Sequence, residues 1–340
     1  MILTTPLIER LSRIGAVHVV ATPANAAILA NHPAVTSVIV FDKRGADRGL
    51  AGLRRVVRAA RATGATAAYL AQGSMRTASI AWLAGIPERV GFDTSPGRLL
   101  YTRRVRYQRS WHHAQRLYSL GDGAATGDAV HPPALRPSLH PSVADHAQAD
   151  ALLSSHGVQR GDRLVALAPG SVWATKRWPS YDALAAALIA PLAGTPSVRL
   201  IVLGAAADGP LADAIADAVL AAGGLPVIDA TGKLSMLGSA ALLERVRVLV
   251  TNDSAPLHLA SAANTPTVAL FGPTIPGFGF GPLADHHAIV QQALGCRPCG
   301  AHGPRTCPLG HWDCMRTLTV PSVVDAIRDL AAHDVTRQGA

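Results

Sequence analysis

The sequence predicts an α/β protein of two Rossmann-like domains whose parallel sheets face a central cleft. Three observations predict this. Short, unbroken Val/Leu/Ile runs recur along the 340 residues, an amphipathic helical stretch follows most of them, and the series is broken once. The break, at 121–142, is rich in Gly, Pro, Ala and His and has no period. Strands covered by helices on both faces read as continuous apolar runs. The domains are expected at 1–140 and 161–318, with a linker at 141–160 and a C-terminal helix or tail at 319–340.

The elements follow in order. "MILTTPLIERLSRIG" predicts a helix over 4–14, with Thr4 or Thr5 as cap, Pro6 in its first turn and Gly15 at its end. Strand 17–22, helix 24–30, strand 37–41, helix 49–62, strand 67–71, helix 74–84 and strand 89–92 complete the first domain. In the second, strand 163–170 leads to helix 180–192 and strand 198–204 to helix 208–222. "LPVIDATG" leads to helix 236–246, strand 246–253 to helix 255–263, and strand 266–274 closes the series. Ligands in such sheets bind beyond the carboxyl ends of the strands, so the strand-to-helix loops are the candidates.

Composition bounds the function. The formal charge is +9, but residues 1–140 carry 18 Lys and Arg against 7 Asp and Glu, and the remainder 13 against 15. This arginine excess suits an anionic partner, although a bias toward arginine codons would produce many of the same residues. Few aromatics are available for stacking on bases, which argues against nucleic acid. The longest apolar run, 183–194, contains a proline and falls short of the roughly 20 residues of a membrane span. Glu9 and Arg10 stand where a secretion signal needs an apolar core.

Three loops could carry chemistry. In "TNDSAPLHLASA" a buried strand ends at Asp253-Ser254 and a helix begins at once. Its unpaired first-turn amides suit an anion, and His258 can donate to it. Asp253 or Ser254 as a plain helix cap is the competing reading. "FGPT" brings Thr274 to the same sheet edge. In "APGSVWATKRWP" Ser171 lies in the turn and Lys176 suits a pyrophosphate whose charge develops on departure; otherwise the stretch is a solvated surface with a packed Trp. Asp208, after "IVLGAAAD", suits either a ribose or a helix cap.

These loops together resemble glycosyltransferase family 9, the ADP-heptose:lipopolysaccharide heptosyltransferases. "TTPLIERL", "NHPAVTSVIVFD", "AQGSMRTASIAWLAGIPERVGFD" and "HHAQRLYSL" extend the resemblance in family order over nearly the whole chain, and "CRPCGAHGPRTCPLGHWDCM" is similar to the tail of the heptosyltransferase II branch. The resemblance implies a GT-B architecture. It also implies inverting transfer of heptose from ADP-heptose to the inner core of lipopolysaccharide, with no cofactor required for catalysis. Lys176 and Asp253 would carry the chemistry, and Ser171, Lys176, Asp208, Asp253, Ser254, Ala255, His258 and Thr274 would hold the donor. Ala255 stands where the family usually has Gly, Pro256 removes one amide from the cradle, and Val172 replaces a hydroxyl residue found in some members.

Gln72, Gly73 and Arg76 match the family's "QG" loop. With Arg98, Arg103, Arg104, Arg106 and Arg109 they would meet an anionic glycolipid acceptor, the Kdo/heptose lipid A core. A cytoplasmic, monomeric protein peripheral at the inner membrane is expected. The family's general base is an Asp in a loop after a first strand, a pattern that would directly precede "MILTTPLI". The base is therefore expected to be absent from this chain, for which an internal Met, a truncated copy or a base from elsewhere are the competing explanations. Another GT-B sugar-nucleotide enzyme and an inactive sugar-nucleotide-binding relic are the alternative functions.

The cysteines lie together as Cys296, Cys299, Cys307 and Cys314, spaced C-x2-C-x7-C-x6-C, with His302 and His311 among them. The spacing leaves a structural Zn²⁺ site, reduced thiols and one disulfide open.

Overall fold

The computed structural model describes residues 1–122, 135–189 and 198–333. The chain divides into two compact units, Met1–His140 and Pro141–Ala340.

The first unit opens with a 3-10 turn, Ile2–Thr4, running into α1 (Thr5–Ser12), shorter than the predicted helix because the chain turns after Arg13. Then come β1 (His18–Ala21), α2 (Pro23–Ile28), β2 (Ser37–Val40) and α3 (Gly49–Ala62). β3 (Ala67–Tyr69), α4 (Met75–Leu83), β4 (Glu88–Phe92), β5 (Arg103–Val105) and α5 (His113–Ser119) complete it. All its pairings are parallel, in two sheets ordered β1-β2 and β3-β4-β5. Val56, Ala60, Leu70, Ala78 and Ile80 fill one core between α3, α4 and the strands. α1 turns Leu7 and Ile8 inward and is tied to α5 and the segment after it by Arg10, which lies 4.5 Å over the Tyr118 ring and 2.6 Å from the Asp122 carboxylate.

The second unit begins with α6 (Val143–Ser155), so most of the expected linker 141–160 is helical. Ser142 and Asp145 form a reciprocal capping box at its start. β6 (Arg163–Ala168), α7 (Tyr181–Ile189), β7 (Val198–Val202), α8 (Gly209–Ala221), β8 (Ile228–Asp229) and α9 (Met236–Leu243) follow. Next come β9 (Val248–Asn252), α10 (Ala255–Ala263), β10 (Thr267–Phe271), β11 (His287–Gln291), α11 (Asp313–Arg316) and α12 (Val320–His333). The six strands form one parallel sheet ordered β11-β10-β9-β6-β7-β8. Leu167, Val202, Val250 and Leu270 from the four central strands share a core with Leu184 and Ile215. Val323, Ile327 and Leu330 of α12 join the same core, so the predicted C-terminal helix is integral to this unit.

β5, α5, α6 and β11 were not expected. β5 is three residues, Arg103-Arg104-Val105, and β5 and β11 both alternate exposed and half-buried positions. Both lie at the end of a sheet, where a short strand with one covered face lacks the continuous apolar run that marks a central one. The irregular segment 121–142 falls largely on 123–134, outside the described residues. Among the described residues no helix is long and apolar enough to cross a membrane.

Candidate active site

The sheet of the second unit reverses its winding between β6 and β9. From β6 the chain adds β7 and β8 on one side, then returns to add β9, β10 and β11 on the other. Loops leaving the carboxyl ends of two such strands diverge and open a crevice, the usual place for a ligand in this architecture.

Three predicted residues meet there. Lys176, on a 3-10 turn after β6, donates from Nζ to Asp253 Oδ2 at 2.6 Å and lies 3.3 Å from the Asp253 carbonyl. Thr274, after β10, donates from Oγ1 to the same carboxylate oxygen at 2.7 Å. The ion pair is nearly buried, its side chains 9% and 11% exposed. Burying a charged group is costly unless an opposite charge and hydrogen bonds accompany it, and here Lys176 and Asp253 accompany each other.

Asp253 is therefore engaged by Lys176 and Thr274, and the residue at the N-cap of α10 is Ser254, which makes no side-chain cap bond. The plain-cap reading of this loop fails on both residues. Of the first positions of α10, Ala255 is exposed, Pro256 has no amide proton, and Leu257 turns its N–H back to the Ser254 carbonyl at 3.2 Å. His258, half-buried one position further on, has its ring 6.4 Å from that of Phe280.

Ser171 and Asp208 form a neighbouring group. The Ser171 hydroxyl accepts the Trp173 N–H at 3.3 Å. The Asp208 carboxylate accepts the Ala205 N–H at 2.9 Å, so its present role is to cap its own 3-10 turn. That carboxylate presses on Gly170 so closely that a Cβ there would sit 2.3 Å from its oxygen. Glycine at this position lets the loops after β6 and β7 touch.

Asn252, which the sequence reading passed over, organises the crevice. It is fully buried at the end of β9; its amide donates to the Pro169 carbonyl at 2.8 Å, and its oxygen receives the Trp178 N–H at 3.3 Å and the Tyr181 hydroxyl at 3.4 Å. Burial pushes the Tyr181 phenol well above its ordinary value, so it remains a neutral donor. Arg297 was also missed. It donates to the carbonyls of Gly272, Gln292 and Thr274, fixing the loop after β10. Its partners lie on segments 5 to 25 residues away, at no periodic spacing that would mark it.

In the first unit the loops after β3 and β4 are joined by a bond from Gly97 N–H to the Gly73 carbonyl at 3.2 Å. Gly73 has φ +58°, and a Cβ there would meet Ser95 Oγ at 2.4 Å, so only glycine fits. Gln72, Arg76, Arg98 and Arg104 are exposed on or beside these loops. Arg103 is not: it is turned to the Glu88 carboxylate at 3.0 Å and to the Asp122 carbonyl, and holds β5 to its surroundings. A cavity of about 420 Å³ beside Arg76 is lined by Lys43 and Arg48, cations the sequence reading did not single out, together with Phe41, Leu50 and Leu53.

The glycosyltransferase family 9 (heptosyltransferase) model matches residues 53–312. Lipooligosaccharide heptosyltransferase 2 of Haemophilus influenzae is 29% identical over 165 residues, 48% of this chain and 46% of that protein. Lipopolysaccharide heptosyltransferase 2 of Escherichia coli K12 is 27% identical over 236 residues, 67% of this chain and 65% of that protein. The matches thus span about half to two thirds of the length of these curated relatives. A glycosyltransferase family 9 structure from Veillonella parvula superposes with TM-score 0.80 at 24% identity, covering 98% of this chain and 94% of the other. E. coli ADP-heptose LPS heptosyltransferase II gives 0.78 at 22% identity, covering 98% and 96%. These superpositions show the fold, and with it the GT-B class expected from the sequence. The family match covers both units, and the chain belongs to glycosyltransferase family 9.

Proposed function

We propose that this chain is an inverting glycosyltransferase that moves heptose from ADP-heptose to the inner core of lipopolysaccharide. The observation that carries the proposal is the Lys176–Asp253–Thr274 cluster at the reversal point of the second sheet. An ammonium has three N–H donors. Two of those on Lys176 lie toward Asp253, and the third serves a diphosphate oxygen. As the bond from heptose to ADP breaks, negative charge grows on the diphosphate, and a preorganised cation stabilises that charge, with the Ala255 amide at the start of α10 contributing to the same end. Asp253 and Thr274 fix the lysine. Ser171, Asp208 and His258 contribute contacts to the rest of the nucleotide. All of these residues serve the donor and leaving group, and none is assigned as the base that takes the acceptor proton.

On the acceptor side the exposed arginines 76, 98 and 104, with Lys43 and Arg48, suit the carboxylates and phosphates of a Kdo-containing glycolipid. A glycolipid acceptor puts the protein at a membrane surface, on its cytoplasmic side.

Isothermal titration with ADP and UDP, followed by transfer from ADP-heptose to Kdo-lipid A, tests the reading. ADP binding is expected to exceed UDP binding. Lys176→Arg is expected to keep the fold and lower turnover about 100-fold, the usual cost of losing one well-placed donor to developing charge. Thr274→Val is expected to weaken ADP binding several-fold. Absence of ADP binding, or full activity in Lys176→Arg, overturns the assignment.

A further inference from the structure

The four cysteines are free thiols, and among the described residues no three of them bring their sulfurs within 4.8 Å of one another. A feature with more to explain lies on the first unit. The outer face of a surface helix is ordinarily polar, and that of α4 is not. Met75, Trp82 and Leu83 are 44%, 54% and 41% exposed, while Ala78, Ile80, Ala81 and Ala84 turn inward to the core. With about 3.6 residues per turn, Met75, Ser79 and Trp82 fall on one line along the helix, with Arg76 and Leu83 beside it. Of the five tryptophans in the chain, Trp82 alone is exposed.

α3 runs beside this strip and supplies charge. Arg54, Arg58 and Arg61 are all exposed and, four and three positions apart, share a face of the helix. The two helices meet at both ends. At their C-terminal ends Arg61 donates from Nη2 to the Leu83 carbonyl at 2.6 Å and from Nε to the Ala84 carbonyl at 3.3 Å. At their N-terminal ends Arg48, Leu50 and Arg76 line one cavity, and Leu50 is 70% exposed. From 48 to 87 the sequence has six arginines and no Asp or Glu. Among the described residues Arg55 is the one of the six with a carboxylate partner, Asp47.

The surface therefore joins an exposed apolar strip to cations that no neighbouring acid neutralises. A second copy of the chain is a poor cover for it, because a two-fold contact would set the same arginines against one another. An anionic bilayer complements both parts. Leu and Met side chains enter the acyl boundary, an indole settles where apolar body and N–H each find their medium, and arginine stems lie along that boundary with their heads at phosphate.

We propose that the α3–α4 face is a membrane-contact surface, at which Met75, Trp82 and Leu83 enter the boundary of an anionic bilayer and Arg54, Arg58 and Arg61 hold its phosphates. As the route by which the chain meets a glycolipid acceptor, the contact rests on the function proposed above; binding to lipid does not.

The test uses the full chain and vesicles of phosphatidylglycerol and phosphatidylcholine in equal parts, with bromine on the acyl chains as a quencher. Tryptophan emission is expected to shift to the blue and to be quenched on binding, and Trp82→Phe to bind still but lose at least half of the quenching. Trp82→Ser with Leu83→Ser is expected to bind at least tenfold more weakly, with melting temperature and ADP affinity unchanged, since neither side chain belongs to the core. Arg54→Glu with Arg58→Glu is expected to weaken binding most at low salt. Quenching that survives Trp82→Phe, or full binding by the double serine variant, overturns the proposal. So does a dimer in sedimentation velocity that Trp82→Ser dissociates, which would make this face an interface between copies. ADP binding tests the donor-site reading and lipid quenching tests this contact, so the two can fail separately.

Discussion

Asn252 shows how much of this crevice depends on one neutral side chain. Fully buried, it connects the end of β9 to Pro169 after β6 and to Trp178 and Tyr181 before and within α7. Asn252→Ala leaves a carbonyl, an amide and a phenol without that partner, away from water. At about 1–3 kcal/mol for a buried group deprived of its hydrogen bond, the variant is expected to lose roughly 3 kcal/mol of stability. Urea denaturation measures it, and a loss below about 0.5 kcal/mol would show that the network relaxes onto other partners. Asn252→Asp is expected to be no better, since a carboxylate cannot donate to the Pro169 carbonyl. Lys176 and Asp253 obey a different rule. Their pair is nearly dehydrated, so removing either partner strands a charge, whereas Lys176→Arg keeps the charge and changes only its placement.

At the scale of elements, the helix found in place of the expected linker has its own anchoring. α6 is held to α9 and the turns around it by Ser235 to Asp145 at 3.1 Å, Arg245 to Asp150 at 2.9 Å and His146 to Glu244 at 2.9 Å. The Glu244 hydrogen bond is the main reason that the His146 pKa is raised above its ordinary value, with the Ser142 carbonyl adding to it. A histidine whose folded pKa exceeds its unfolded one, about 6.5, stabilises the fold fully below that value. The contribution is lost as pH rises through the folded pKa. Thermal melts are therefore expected to show stability falling as pH climbs above about 6.5, with His146→Gln flattening that interval and leaving more acidic pH otherwise unchanged in slope. Both side chains are more than a third exposed, so the effect should also shrink in high salt. An identical pH profile in His146→Gln would remove this contact from the account.

Over the whole molecule, what could be read from the sequence is what has a period or a fixed local context. Central strands of the second unit are unbroken apolar runs, so β6, β7, β9 and β10 were predicted within a few residues, whereas the end strands β5 and β11 lack that run and were missed. Lys176, Asp253 and Thr274 were found because each follows a strand, but their mutual bonds join residues 77 and 21 positions apart and became visible only with the fold. Asp208 could be read as a ribose contact or a cap, and it caps its own 3-10 turn; Arg103 was legible as a residue type and not as the partner of Glu88. The charge asymmetry needs no geometry to be read, and it supports a prediction for the molecule as a whole. Of the excess in residues 1–140, Arg76, Arg98, Arg104, Arg106 and Arg109 are exposed, while Arg10, Arg55 and Arg103 are paired with carboxylates. Exposed cations near an anionic leaflet contribute about 1 kcal/mol each, over a range set by the Debye length, which shrinks from about 30 Å at 0.01 M salt to about 3 Å at 1 M. The protein is therefore expected to sediment with vesicles containing phosphatidylglycerol at low salt and to be released as salt is raised. Replacing Arg98, Arg104 and Arg106 together with Glu should reduce the bound fraction at least tenfold, with the melting temperature as the check on folding. Equal binding to vesicles of phosphatidylcholine alone would mean that the arginines are not what holds the protein to a bilayer.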